Sequence, residues 1–114
     1  FLAFKNKKSL FAMTAHIIYS QYDSTNTATH SKIIIDDIIR KKLKFRHLLI
    51  SDDICMKALK YGLKENVIKS LKAGCNLILH CNGNINEMRI IANNVPKIDD
   101  FVIKKTSQFY KFLM

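Results

Sequence analysis

Apolar residues along this chain follow two rhythms. Three short segments carry them without alternation: Phe11–Ile18, Leu48–Ile50, and Asn76–Asn82 with its Leu77, Ile78 and Leu79. Unalternated runs of this length suit strands buried on both faces, as in a parallel sheet covered on two sides. Elsewhere apolar residues return every three or four positions: Ile34, Ile35, Ile38, Ile39 and Leu43; then Val67, Ile68 and Leu71; then Ile85, Met88, Ile91 and Val95. That period predicts three amphipathic helices. Ser31 is placed to cap the first, whose acids Asp36 and Asp37 come early and whose bases Arg40, Lys41 and Lys42 come late, as the helix dipole prefers. Gly74 is expected to close the second helix in a left-handed conformation, and Pro96 to stop the third. A turn or two of helix is expected over Cys55–Tyr61 with Gly62 as a break, and a terminal helix over Ile98–Met114. Phe1–Leu10 reads as the tail of a helix running into a loop. Tyr19–Thr29 is aperiodic and rich in turn residues, which predicts a long loop.

Strands separated by helices run parallel with right-handed crossovers, so the order predicts an α/β class. Each apolar segment ends in polar chemistry: His16 after the first, Asp52 and Asp53 after the second, His80 after the third. In parallel architectures the carboxyl ends of the strands form the reactive rim, which makes Asp52 the leading catalytic candidate. Strand alternation places Leu48, Ile50 and Asp52 on one face and Leu49, Ser51 and Asp53 on the other. Asp53 is then left as an orienting or capping residue, a role Asp also fills at helix starts. His16 fits either a barrel-mouth contact or a satisfied structural histidine. His30 and His47, in a loop and a turn, are expected to be solvated.

Composition narrows the function classes. The formal charge of +10 invites a nucleic-acid reading, but 16 Lys, 16 Ile and 9 Asn among 114 residues are the signature of an AT-rich coding sequence, and the bases are scattered along helices. Nucleic acid and membrane are therefore not expected as partners; no apolar run approaches the roughly 18 residues of a membrane span. Cys55, Cys75 and Cys81 form no C-x-x-C pair and are expected to be reduced, packed as small apolar residues, with no metal. No cofactor is expected, since three glycines make no phosphate-binding loop. The chain begins with Phe1 and is far shorter than the ~250 residues of a complete (β/α)8 barrel, so residues 1–114 read as a single partial domain continuing a longer frame.

Three ordered blocks, Ala12-Met13-Thr14-Ala15-His16-Ile17, Ser51 to Leu59, and Ala73 to Gly83, resemble the carboxyl-terminal part of the bacterial β-N-acetylhexosaminidases of glycoside hydrolase family 3. The resemblance runs from about Phe4 to Ile98 and implies strands six to eight of a (β/α)8 barrel. It makes Asp52 the nucleophile of a retaining glycosidase and His16 and Asp53 barrel-mouth residues. It also implies a cytoplasmic enzyme of peptidoglycan recycling, acting on muropeptides that carry β-linked N-acetylglucosamine. The family's Lys-His-Phe-Pro-Gly-His-Gly segment and its Asp/His acid/base loop have no match in Phe1 to Ala12. The chain is therefore expected to be nearly inert alone and to need an amino-terminal partner fragment. Other departures are Arg46-His47 in place of an Asp-Gly turn, a missing Pro after Ser31, and Asn76 in place of Asp. A non-catalytic sugar-binding remnant and a basic nucleic-acid binder are the alternatives.

Overall fold

The computed structural model describes residues 8–114, so the expectation for Phe1–Leu10 falls largely outside the described residues. Two parallel strands form its sheet: β1 (Phe11–Met13) and β2 (Leu48–Ile50), in the register Phe11 to Leu48, Ala12 to Leu49 and Met13 to Ile50. The third apolar segment lies on the other side of β2 and runs parallel to it, joined by a single bridge between Ile50 and Leu77. The three segments are thus ordered as the pattern predicts, but the first strand is cut to three residues and the third is no strand. A physical reason is visible at the crossing. Ser51 Oγ accepts from Leu79 N at 3.0 Å, and Asn76 Oδ1 accepts from Leu49 N at 2.9 Å, so side chains occupy ladder positions that backbone groups would otherwise fill. Burial on both faces holds only for Leu48 and Leu49; Met13 is 56% exposed.

Between the strands, a 3-10 turn (Ala28–His30) leads to a helix whose Ile34–Lys42 portion is π-type. Ser31 caps it as expected, its Oγ accepting from Ile34 N at 3.1 Å. The wide form serves the packing of the buried face. Ile34 and Ile38, or Ile35 and Ile39, are four apart, but Leu43 follows Ile38 by five. One extra residue per hydrogen-bonded turn, seen in Leu43 N to Ile38 O at 2.7 Å, brings Leu43 onto the buried face. Ile35 packs with Leu49, Ala73 and Cys75, tying this helix, β2 and the end of α1 (Leu63–Ala73) into one core. A second core joins Ile54, Leu59 and Val67. Each fully buried aliphatic side chain of this kind contributes roughly 1.5–3 kcal/mol.

Cys55–Tyr61 is a correction: it forms successive turns, with Met56 N bonded to Asp53 O and Leu59 N to Met56 O, and no helix. The carboxylate of Asp53 accepts from Cys55 N, which turns the chain before a helix can start. Gly62 instead caps α1. Helices α2 (Ile85–Asn94) and α3 (Asp100–Leu113) lie where the periodicity puts them, the former ending just short of Pro96 and the latter capped by Asp99. On the apolar stripe of α2, Ile91 packs against the Ile54, Leu59 and Val67 core, while Ile85, Met88 and Val95 stay exposed.

His47 is not solvated as expected: Lys105 Nζ donates to its Nδ1 at 3.2 Å, and burial, then Lys105, push its pKa down. His30 is also partly buried, its ring beside Tyr61, and burial pushes its pKa down. Arg40 is the polar hub of the layer, donating to the carbonyls of Phe45 and His47 at 3.0 and 2.7 Å and to Asn76 Oδ1 at 2.8 Å. All three of these acceptors are neutral oxygens facing a half-buried guanidinium. Replacing Asn76→Asp supplies a charged acceptor for both Arg40 and Leu49 N, and is expected to raise stability by about 1 kcal/mol, read as a higher urea midpoint.

Candidate functional site

The carboxyl ends of the three segments meet on one side of the sheet. At the end of β2, Ser51 is fully buried and Asp52 is half-exposed. Asp52 Oδ1 accepts from Asp53 N at 2.8 Å, which fixes one carboxylate oxygen; among the described residues no other hydrogen bond engages it. The Asp53 side chain accepts from Cys55 N at 3.2 Å, closing a turn where a helix start was expected.

His16 is buried, and both ring nitrogens are used. Nδ1 lies 2.8 Å from Thr29 Oγ1, and Nε2 lies 2.8 Å from the Asp53 carbonyl. Because a carbonyl can only accept, Nε2 donates to Asp53, while the Thr29 hydroxyl that faces Nδ1 also donates to the Ala15 carbonyl at 3.1 Å. Thr14 Oγ1 reaches the same hydroxyl at 2.8 Å. His16 thus acts as a strut that clamps the loop after β1 to the turn holding Asp52 and Asp53. Thr29 carries no periodic or motif signal and Thr14 only that of its block; the folded chain brings residues 14, 16, 29 and 53 together.

The long loop over Tyr19–Thr29 is set by Asp23. Its carboxylate accepts from Ser31 Oγ at 2.7 Å and from Thr25 N and Asn26 N at 3.0 Å each. These bonds, Ser31 first, hold its pKa down to about 2 from 3.8. Since the folded value lies below the unfolded one, the contribution is present above about pH 4 and lost as pH falls toward about 2. An acid unfolding series should therefore show roughly 1–2 kcal/mol of stability disappearing over that window, and Asp23→Asn should flatten it.

His80, the third rim residue, does not join His16 and Asp52. Its Nε2 lies 2.9 Å from Glu87 Oε2, which also accepts from Cys55 Sγ at 3.2 Å and from Asn82 Nδ2 at 2.6 Å. Those bonds, His80 first and then Asn82 and Cys55, hold the Glu87 carboxyl down to about 2. Burial and then Glu87 push the Cys55 thiol up to about 12. Cys55 thus donates a hydrogen bond instead of only packing as a small apolar residue; Cys75 is buried as expected, and Cys81, expected to pack, is exposed. Glu87 was passed over because it lies in the first turn of α2, remote in sequence from the residues it gathers.

The sequence profile described as Glycosyl hydrolase family 3 N terminal domain matches residues 2–105. The chain belongs to glycoside hydrolase family 3. A beta-hexosaminidase of Haemophilus influenzae is 41% identical over 85 residues, 71% of this chain and 23% of that protein. One from Nitrosomonas eutropha is 43% identical over 72 residues, 61% of this chain and 20% of that protein. Among solved structures, the beta-N-acetylglucosaminidase of Thermotoga maritima superposes with a TM-score of 0.66 at 32% identity, covering 96% of this chain and 26% of that one. CbsA of Thermotoga neapolitana gives a TM-score of 0.72 at 28% identity, covering 90% of this chain and 26% of that one. The chain therefore spans about a quarter of the length of these relatives. No helix among the described residues is long and apolar enough to cross a membrane.

Proposed function

We propose that this family 3 chain is the nucleophile-bearing segment of a retaining β-N-acetylglucosaminidase, strands six to eight of its barrel, with Asp52 as nucleophile. The observation that carries the reading is a half-exposed carboxylate at the carboxyl end of β2, held through one oxygen by Asp53 N. A carboxylate fixed in this way is oriented for attack, while its second oxygen remains available. In the proposed reaction that oxygen bonds to the anomeric carbon of N-acetylglucosamine as the bond to the leaving oxygen breaks. Water, giving up its proton to the base that the completing segment supplies, then attacks the same carbon, and Asp52 leaves as carboxylate. The substrate is a muropeptide bearing β-linked N-acetylglucosamine, met in the cytoplasm.

The proton for the leaving oxygen has to come from another segment, since the family's Asp/His loop has no counterpart in this sequence. His16 is committed at both nitrogens, so its part is to position the Asp52 turn. Exposed Met13, Ile17 and Ile18, at 56%, 54% and 39%, lie in and just after β1 and offer apolar surface to a partner. General acid help is commonly worth about 10²–10⁴-fold, so the chain by itself is expected to be nearly inert.

The test mixes this chain with an amino-terminal fragment of the Haemophilus influenzae relative, ending where the match begins, and follows a chromogenic N-acetylglucosaminide. Turnover by the mixture and not by either part supports the reading. Sugar binding without turnover favours a non-catalytic remnant, and turnover by this chain alone that survives Asp52→Asn overturns the assignment.

A further inference from the structure

We propose that Cys55, His80 and Glu87 form a three-ligand site for a zinc-type divalent ion. The three side chains come from separate elements: the turn after β2, the segment beside it, and the first turn of α2. One ligand atom from each lies within 4.8 Å of the others. Two edges of the triangle are already short, with Cys55 Sγ and His80 Nε2 at 3.2 and 2.9 Å from the same Glu87 oxygen.

Those lengths nearly match what coordination requires. With metal bonds of about 2.3 Å to sulfur and about 2.0–2.1 Å to nitrogen or oxygen, the edges of a tetrahedron around zinc are about 3.3–3.6 Å. Opening two contacts by a few tenths of an ångström, and setting the Sγ to Nε2 edge, which lies within 4.8 Å, at about 3.6 Å, would seat the ion. The donor set selects its class. Sulfur and imidazole favour zinc and its neighbours, whereas magnesium and calcium take oxygen cages.

Support around the ligands is also present. Asn82 Nδ2 donates to Glu87 Oε2 at 2.6 Å, and Asn84 caps the turn that carries Glu87, so the carboxylate is held before any ion arrives. The His80 side chain is only 10% exposed, while that of Glu87 is 34% exposed, so the site is shielded on one side and open on the other. Three protein ligands leave a fourth position for water or a sugar oxygen, the pattern of an open rather than a closed structural site. Loading releases the Cys55 thiol proton to solvent, and the His80 Nε2 proton now shared with Glu87 moves to Nδ1, so that sulfur and Nε2 can each bond to the metal.

The experiment titrates the 114-residue chain with cobalt(II) alone, follows the thiolate-to-cobalt charge-transfer absorption, and then displaces it with zinc. One equivalent should bind with a tetrahedral spectrum. Cys55→Ser should abolish the band, and His80→Ala or Glu87→Gln should weaken binding by about tenfold or more. Cys81→Ser, an equally small change at an exposed neighbour, should leave the band intact. Absence of the band in the unaltered chain, its survival in Cys55→Ser, or its loss in Cys81→Ser overturns the proposal. None of these readouts depends on glycoside hydrolysis, so the site stands or falls apart from the proposed enzymatic reading.

Discussion

Asp52→Asn is expected to lower glycosidase activity of the completed barrel by roughly 10⁴-fold or more, because a nucleophile removed from a two-step mechanism takes the covalent route with it. The substitution is suited to isolating chemistry from folding. Asn keeps the carboxylate's shape and an oxygen that accepts from Asp53 N, the one hydrogen bond of the Asp52 side chain among the described residues. Stability should therefore move little while kcat collapses. Asp53→Asn is the matched comparison. Its side chain serves Cys55 N, which an amide oxygen also satisfies, so activity should stay within about tenfold of the unaltered mixture. An Asp52→Gly variant should regain part of the lost rate with azide, a small external nucleophile entering the space the carboxylate vacated. Equal losses at positions 52 and 53, measured as kcat/KM on the chromogenic sugar, would remove Asp52 from its assigned role.

Gly74→Ala should carry the largest cost in stability, about 2–4 kcal/mol. Two effects coincide there. Gly74 ends α1 at φ 125°, a conformation L side chains rarely adopt, and a Cβ built on it would lie 2.7 Å from Ile35 Cγ2. Ile35 cannot swing aside, because it is 1% exposed and wedged among Leu49, Ala73 and Cys75. Against a typical domain stability of about 5–15 kcal/mol, that is a large share. A double-mutant cycle separates the parts. In an Ile35→Ala background the clash is gone and only backbone strain remains, so Gly74→Ala should cost about 1–2 kcal/mol less. Equal costs in both backgrounds, from urea midpoints at constant slope, would show that the close approach is not felt.

The parts of the fold that could be read from the chain are those governed by neighbours in sequence. Helix periods at Val67, Ile68 and Leu71, the cap at Ser31, the left-handed stop at Gly74 and the break at Pro96 are all decided within a few residues, by side-chain period and backbone sterics. Cys55–Tyr61 shows the limit of that logic. Its residues permit a helix, yet the Asp53 carboxylate and the packing of Ile54 and Leu59 against Val67 bend it into turns. Likewise the third apolar segment has strand composition, but Ser51 Oγ and Asn76 Oδ1 take over ladder positions from side chains 28 and 27 residues away from their partners.

By itself, the sequence determined the amphipathic helices, the cap at Ser31, the stops at Gly74 and Pro96, the order of three apolar segments and the placing of Asp52 at the end of the second, because these depend on local periodicity and on residues that lie together. Tertiary structure alone decided that His16 is locked between Thr29 and Asp53, that the helix at Ile34–Lys42 widens to seat Leu43, and that Cys55, His80 and Glu87 converge. Those outcomes join residues up to 37 positions apart, and the hydrogen bonds and buried contacts that select them exist only once the chain has folded back on itself.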